Sequence, residues 1–417
     1  MYSKYEEMVR LLLRELQTTP FENSDNTRWH RNAELLQKMF PAESAINFAR
    51  TGSISGLNDD VDVLYTTENE ISCLFDKDGT LRIPTVIKSG QMRRTGGDID
   101  EFLGVLSDRF RNRKVDVQDF STTDKLPVQM RVEEVIDKIR DSSSLSSGRL
   151  PINLLNLKCL GQASHAPAFL NRRRFGLIPA INCRLEAELA GEETAGKQNR
   201  ATIINGREVD LAGSMTFSLF AERGSFTGFH VDNPDGTWVC SLWGRKVWIF
   251  ASKSDQFDTS KFEAEGDEWI PESVRITVLE PGDILIMPPG KIVPHAVLTL
   301  EDSHMVGGMF MDTHCILSSV EKLLWIVGHP MVTNEGIPLQ LIRGWNHLRD
   351  LFLEMEPSSA DRAKFDELSE RVRKALSCPC TGPCGTKCLK CKCALSASQD
   401  GKCTQWCHLS RSKKARR

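Results

Sequence analysis

The stretch GSFTGFHVD, at residues 224–232, decides the predicted fold and its site. It places His230 and Asp232 two positions apart. Side chains two apart in an extended strand point to the same face, so an imidazole and a carboxylate can share one side of it. Such a pair alone is more often part of an ordinary surface strand. A metal site needs a further ligand from elsewhere in the chain.

A second stretch, residues 281–310, contains the best candidate for that ligand, His295. This histidine follows the turn signal PPG at 288–290 and precedes the apolar run AVL. Two histidines and one carboxylate on one face of a metal leave open positions opposite, which is the facial triad of non-haem Fe(II) oxygenases. We therefore predict that His230, Asp232 and His295 form a metal site.

The motifs of the two stretches follow one another in a specific order. TGFHVD at 227–232 is followed by GRK at 244–246, PGD at 281–283, PPG at 288–290 and then His295. This order resembles that of the JmjC-domain Fe(II)/2-oxoglutarate-dependent oxygenases. The resemblance is clear over about residues 150–315 and fades outside them.

Two segments near the end of the second stretch narrow the resemblance to one branch of the family. HAVLT at 295–299 and GGMF at 307–310 are most similar to the branch of JmjC lysine demethylases that carry F-box or PHD-finger modules. In that family the enzyme oxidises its substrate while 2-oxoglutarate is converted to succinate. The resemblance therefore implies a dioxygenase that uses Fe(II) and 2-oxoglutarate.

The resemblance also assigns roles to single residues. It implies that His230, Asp232 and His295 are the catalytic iron ligands, and that Thr227 and Lys246 hold the distal carboxylate of 2-oxoglutarate. A buried dicarboxylate needs a paired cation and hydrogen-bond donors, which agrees with this assignment. The alternative for Lys246 is an exposed lysine on a strand.

The core sequence has short apolar segments separated by turn signals, which indicates a double-sheet jelly roll of cupin type. The predicted fold is a mainly β core, a double-stranded β-helix, with flanking α-helices and a small C-terminal zinc module. Trp238, Trp243 and Trp248 are predicted to lie in the core, whereas the chain's three tyrosines lie outside the core motifs. We predict strands near residues 215–220, 237–243, 246–251, 283–287, 296–300 and 305–311.

Apolar residues at helical spacing predict helices on both sides of this core. The expected helices are at about 2–16, 28–39, 99–110, 131–139, 341–355 and 358–376, with a strand at 61–65. The last two helices either pack on the barrel, which we favour, or form a homodimer interface. The predicted organisation is an N-terminal helical and mixed region at 1–85, a jelly-roll domain at 86–330, C-terminal helices at 331–377, a cysteine-rich module at 378–408 and a basic tail at 409–417.

The composition is that of an ordinary globular chain. Of 417 residues, 40% are hydrophobic and 26% charged, and the net charge of -3 means that nucleic-acid affinity would need a local patch. The chain has no apolar run long enough to span a bilayer and no secretory signal pattern, so we expect an intracellular protein without a membrane partner. Its cysteines are then not expected to form disulfides. Cys73, Cys159, Cys183, Cys240 and Cys315 are predicted to be core thiols.

The other eight cysteines lie within a short C-terminal segment. Such density in an intracellular chain indicates a Zn(II) site, and eight thiolates suffice for two tetrahedral ions. The spacing resembles the cysteine-rich CXC modules of the tesmin type, some of which bind DNA. The candidate ligands are Cys378, Cys380, Cys384, Cys388, Cys391, Cys393, Cys403, Cys407 and His408.

The basic tail and the zinc module together suggest chromatin as the place of action. The tail, RSKKARR at 411–417, is predicted to contact DNA phosphates or to act as a nuclear import signal, with a solvated tail as the alternative. The first functional hypothesis is a nuclear histone lysine demethylase whose partner is a histone tail. The others are a hydroxylase of a non-histone protein side chain and a non-catalytic chromatin scaffold. The intact set of five site residues argues against the scaffold.

Overall fold

A computed structural model gives the structure of the chain. It describes residues 2–18, 27–54, 60–88, 98–123, 127–141, 150–158, 165–194, 211, 215–252, 259–334, 338, 341 and 344–376. The predicted zinc module at 378–408 and the basic tail at 409–417 lie outside the described residues, as does Cys159.

Two β-sheets form the core. Their strands are β1 (Thr51–Gly52), β2 (Val63–Thr66), β3 (Thr85–Ile87), β4 (Lys114–Asp119), β5 (Val128–Arg131), β6 (Ile152–Lys158), β7 (Phe217–Ala221), β8 (Phe226–His230), β9 (Gly236–Trp243), β10 (Lys246–Ala251), β11 (Val274–Leu279), β12 (Ile284–Met287), β13 (His295–Thr299) and β14 (Ser303–Phe310). The larger sheet has the order β1-β2-β3-β12-β9-β14-β7-β6-β4-β5, and the smaller has the order β11-β10-β13-β8.

The two sheets share an apolar core. Val239 and Leu285 of the larger sheet belong to the same buried cluster as Trp248, Phe250 and Leu279 of the smaller one. The strands of the smaller sheet are antiparallel, and so are β9, β12 and β14 in the larger sheet. This architecture agrees with the predicted jelly-roll core with flanking helices.

The six core strands lie close to their predicted positions, and β10 coincides with its prediction. Six strands were not predicted: β1, β3, β4, β5, β6 and β11. The sequence of β11 is VRITVL, in which Arg275 and Thr277 alternate with apolar residues. Alternation of this kind is typical of a half-buried strand, so the signal for β11 was present in the sequence.

The region before the core motifs contributes directly to the larger sheet. Strand β3 pairs with β12, and β2 and β1 extend the sheet from there by parallel pairing. Residues from β2 therefore reach the space between the two sheets. This placement brings a tyrosine, Tyr65, into the core region.

Helices surround the sheets. They span Tyr2–Thr18, Arg28–Met39, Glu68–Asp76, Ile99–Phe110, Val132–Arg140, Leu177–Thr194, Thr259–Glu265, Ile316–Gly328, Trp345–Leu353 and Ser359–Leu376. The predicted apolar face of the first helix is buried: Val9, Leu12 and Leu16 belong to a cluster with Phe226 and Val247 of the smaller sheet.

The two C-terminal helices pack on the rest of their own chain. The rings of Phe352 and Phe365 are stacked with centroids 4.5 Å apart. Leu368 and Val372 are buried in the same cluster as Leu323 of the helix Ile316–Gly328. The apolar faces of these two helices therefore pack within the chain, which is the arrangement favoured from the sequence. A homodimer would have to use other surfaces of the helices.

The scattered cysteines divide into two groups. Cys240 and Cys315 are buried, as predicted. Cys73 and Cys183 are exposed, so the prediction of core thiols is wrong for them. The reason is helical geometry: Ile71 and Phe75 turn the other face of their helix inward, as do Ile178 and Ile181 in theirs. Among the described residues, no helix has the length and apolar character needed to cross a membrane.

Candidate metal centre

A β-bulge places Thr227 and His230 on the same face of β8. His295 on β13 lies opposite His230 on β8, whereas Val297 lies opposite Thr227, so the register shifts between the two pairs. Residues three apart in a regular strand point to opposite faces. The extra residue of the bulge corrects this and places Thr227 and His230 on the same face.

The neighbouring strand β10 brings Lys246 to that face. Lys246, Trp248 and Phe250 lie opposite Thr299, Val297 and His295, respectively. Because alternate residues of a strand share a face, Lys246 and Trp248 lie on the same side of the sheet as His295. Three strands thus carry Thr227, His230, Lys246 and His295 on one surface.

The three predicted metal ligands lie together. His230, Asp232 and His295 each offer a ligand atom, and these atoms are all within 4.8 Å of one another. The Nε2 atom of His295 is 3.7 Å from Oδ1 of Asp232, and the centroids of the two imidazole rings are 4.3 Å apart. Strand β8 ends at His230, so the segment after the strand, rather than strand alternation, positions Asp232.

Backbone carbonyls orient both imidazoles. His230 has Nδ1 2.8 Å from the carbonyl oxygen of Gly228, and His295 has Nδ1 3.0 Å from that of Val293. Since a carbonyl can only accept, each Nδ1 carries the proton and each Nε2 keeps a free lone pair. Metal-binding histidines are typically held in this way. The donor set and its orientation therefore fit a divalent ion such as Fe(II).

The electrostatics keep these groups in their metal-binding forms. Burial, assisted by the neighbouring His295, lowers the pKa of His230 to about 4. Burial alone would raise the pKa of Asp232, but His295, His230 and Lys322 outweigh it, so the pKa is lowered. At neutral pH the site therefore contains a neutral imidazole at His230 and a carboxylate at Asp232, which are the forms that bind a metal.

Lys246 is a buried cation without an acidic partner among the described residues. Only 6% of its surface is exposed, and burial lowers its pKa to about 8. No carboxylate in the described part of the chain lies within ion-pair distance of it. A buried unpaired charge is unfavourable, so a bound dicarboxylate would complete this environment.

Asn153 lies beside Thr227 and contacts a further polar residue, Gln118. The amide nitrogen of Asn153, on β6, is 3.4 Å from the hydroxyl of Thr227 and 2.9 Å from the side-chain oxygen of Gln118. Both residues are buried. Sequence analysis missed them because they precede the motifs by many residues and carry no recognisable pattern.

Tyr65 was also missed. Its hydroxyl lies 2.6 Å from the hydroxyl of Thr277 on β11, and Thr277 lies opposite Trp248. The ring of Trp248 is in turn 5.2 Å from the ring of His295. A tyrosine that is distant in sequence from the core motifs therefore belongs to the polar and aromatic surroundings of the site.

No protein-family model matches the chain. A curated relative, KK-1 biosynthesis cluster protein D of Curvularia clavata, is 26% identical over 334 residues, which is 78% of this chain and 32% of the relative. The chain thus spans about a third of the length of that relative.

Solved structures include a similar chain from Escherichia coli. It is YcfD, a ribosomal oxygenase in complex with cobalt and succinic acid, and the alignment covers 69% of this chain and 66% of that one. The identity is 16% and the TM-score is 0.29. A score this low does not establish a shared fold or activity. The function is therefore inferred from the residues of the site.

Proposed function

We propose that the chain is an Fe(II)/2-oxoglutarate-dependent dioxygenase. The observation that carries this proposal is the grouping of His230, Asp232 and His295 within 4.8 Å, with both Nδ1 atoms hydrogen-bonded to the backbone. Bound Fe(II), with 2-oxoglutarate and O₂, would supply the oxidation of a C–H bond, with succinate and CO₂ as co-products. Two-histidine, one-carboxylate sites with open positions are typical of such enzymes.

The protein's part in this reaction is binding, orientation and shielding. His230, Asp232 and His295 would hold the metal through atoms that are already oriented. Lys246 and the Thr227 hydroxyl would bind the distal carboxylate of the cosubstrate, which pairs the buried ammonium group. The ring of Trp248, beside His295, would limit the access of water to this region.

The substrate is a separate question. The sequence predicts a methylated histone lysine, but the comparisons give that prediction no support, and hydroxylation of a non-histone protein fits the site equally well. Oxidation of an N-methyl group gives a hemiaminal that releases formaldehyde, whereas oxidation of an unmethylated carbon leaves a stable alcohol. The product therefore distinguishes the two reactions.

One observation favours a second candidate substrate class. The relative from Curvularia clavata is named for a biosynthesis cluster and is similar to this chain over 78% of its length. By analogy, the substrate would be an intermediate of a biosynthetic route rather than a protein side chain. This alternative uses the same metal site and changes only the molecule that enters it.

Three proposals rest on sequence alone. Zinc binding at 378–408, DNA contact through that module and the basic tail, and a nuclear location depend on residues outside the described part of the chain. They agree with one another, because a nuclear enzyme that acts on chromatin has a use for each. They are independent of the metal site described above.

The test uses the full chain with Fe(II), 2-oxoglutarate and O₂. It is incubated with methylated histone peptides, with matched unmethylated peptides and with cell extract fractionated into proteins and small molecules. Succinate, formaldehyde and substrate mass are measured, with the His230→Ala variant as the control. We expect succinate that depends on one substrate class and disappears in the variant. A wild-type protein that neither binds a divalent metal at His230 nor forms succinate would contradict the proposal.

A further inference from the structure

A buried charged group lies immediately beyond the metal ligands. Asp235 has no exposed surface, and Lys322 of the helix Ile316–Gly328 is only 4% exposed. The ammonium nitrogen of Lys322 lies 2.8 Å from the backbone oxygen of Asp235 and 4.0 Å from Oδ1 of its carboxylate. Neither residue belongs to the metal or cosubstrate sets assigned above.

The carboxylate of Asp235 joins three separate segments. It follows the ligand Asp232 by three positions and immediately precedes β9. Its Oδ1 accepts a hydrogen bond from the backbone nitrogen of Gly290 at 2.6 Å, and its Oδ2 accepts one from the hydroxyl of Ser319 at 2.5 Å. Gly290 lies in the turn that leads to His295, and Ser319 lies on the helix that carries Lys322.

These contacts link two metal ligands to one rigid element. Asp232 sits on the segment that Asp235 fixes, and His295 begins the strand that follows the Gly290 turn. The turn also packs closely on the helix, because a side chain at Gly290 would place its Cβ 2.7 Å from Cβ of Ser318, and its φ is +68°. A shift of the helix or the loss of the Asp235 carboxylate would therefore move both segments.

We propose that Asp235 and Lys322 are positioning residues that hold Asp232 and His295 at the separation required for metal binding. The proposal rests on the proposed function only in assigning a divalent metal to His230, Asp232 and His295. Residues that orient metal ligands typically change metal affinity by about 10-fold to 100-fold when they are altered.

Two double variants of Asp235 and Lys322 distinguish a positioning role from a purely structural one. Asp235→Ala with Lys322→Met removes the carboxylate that accepts from Gly290 and Ser319 without leaving a buried charge unpaired, and the two donors that lose their acceptor lower the stability of the fold. Asp235→Asn with Lys322→Met removes the same charges but keeps a side-chain oxygen that can accept from Gly290. A matched pair elsewhere is Asp119 and Lys138, 2.7 Å apart and distant in sequence from both metal stretches, which is neutralised as Asp119→Asn with Lys138→Met.

The readout is the affinity of the full chain for Mn(II), monitored through the loss of the free-ion electron paramagnetic resonance signal. Mn(II) favours oxygen ligands over thiolates, which limits interference from the cysteine-rich segment. Sites that survive in the His230→Ala variant are subtracted. The melting temperature of every variant is measured alongside.

We expect the Asp235→Ala, Lys322→Met variant to bind Mn(II) about 10-fold to 100-fold more weakly than wild type at a temperature where both proteins are folded. The Asn-containing variant should recover most of the affinity, and the Asp119, Lys138 control should match wild type. Equal affinity in all three variants would overturn the positioning role. If the Ala-containing variant does not fold, Ser319→Ala tests the same tie: weaker Mn(II) binding supports it, and unchanged binding opposes it. Wild-type protein without a His230-dependent site would instead refute the proposed function.

Discussion

The imidazole of His230 donates a hydrogen bond to the carbonyl oxygen of Gly228, two residues earlier in the same strand, over 2.8 Å. This contact orients the ring through a backbone atom, so it depends on the path of the chain at Gly228. That path is tightly constrained, because a Cβ at Gly228 would lie 2.1 Å from the carbonyl oxygen of Asp267. The orientation of a metal ligand thus depends on a position that accepts no side chain.

We predict that Gly228→Ala weakens metal binding by about 10-fold to 100-fold, because the strand or the segment at Asp267 must move and the acceptor for His230 moves with it. The measurement is the Mn(II) titration described above. Gly104→Ala is the matched control, since nothing lies within 4 Å of the added Cβ and the residue is within a helix. The control should keep wild-type affinity and gain about 0.5–1 kcal/mol of stability. Wild-type affinity in Gly228→Ala would show that this carbonyl does not orient the ligand.

His230→Ala and Asp232→Ala should each abolish succinate formation while the protein stays folded. A facial triad has no spare ligand, so the loss of either residue removes the metal. Succinate is measured with saturating 2-oxoglutarate, and folding is checked by circular dichroism. Full turnover in either variant would mean that the metal is held elsewhere.

The sequence could predict which three candidate metal ligands lie together, because each lies in a short motif with its own turn and strand signals. It could not predict the long-range contacts around them. Asn153 and Thr227 are 74 positions apart, Tyr65 and Thr277 are 212 apart, and Asp235 and Lys322 are 87 apart. Such pairs form only when distant strands and helices pack together, and no local period encodes them. The bulge in β8 belongs to the same category, since it is defined by its pairing with β13.

The cysteine-rich segment leads to a prediction that the fold does not address. We expect the full chain to contain at least two zinc ions, because eight thiolates within residues 378–407 suffice for two tetrahedral sites. A chain ending at Leu376 should lose those ions and keep the Mn(II) site. Elemental analysis of both proteins after dialysis measures the difference. An equal zinc content in the two would place the zinc outside the cysteine segment.

Replacement of Lys246 is predicted to stabilise the cosubstrate-free protein and to weaken its use of 2-oxoglutarate. Burial lowers the pKa of this residue from 10.5 to about 8, so the charged form is disfavoured in the folded protein without cosubstrate. The unfolded state binds more protons between these two values, and stability should therefore rise with pH from about 8 to 10.5. Below pH 8 the buried charge lowers the free energy of unfolding by about 3 kcal/mol.

Lys246→Met should therefore stabilise the cosubstrate-free protein by up to about 3 kcal/mol at pH 7, with a gain that shrinks above pH 8. The same variant should need far more 2-oxoglutarate for half-maximal succinate formation, because it lacks the cation for the distal carboxylate. Lys138→Met is the control, since Lys138 is paired with Asp119 at 2.7 Å and its removal should lower stability. Urea denaturation at pH 7 and pH 10 and a cosubstrate titration measure both effects. If Lys246→Met were less stable at pH 7 and had an unchanged cosubstrate requirement, Lys246 would not be an unpaired cation that binds the distal carboxylate of 2-oxoglutarate.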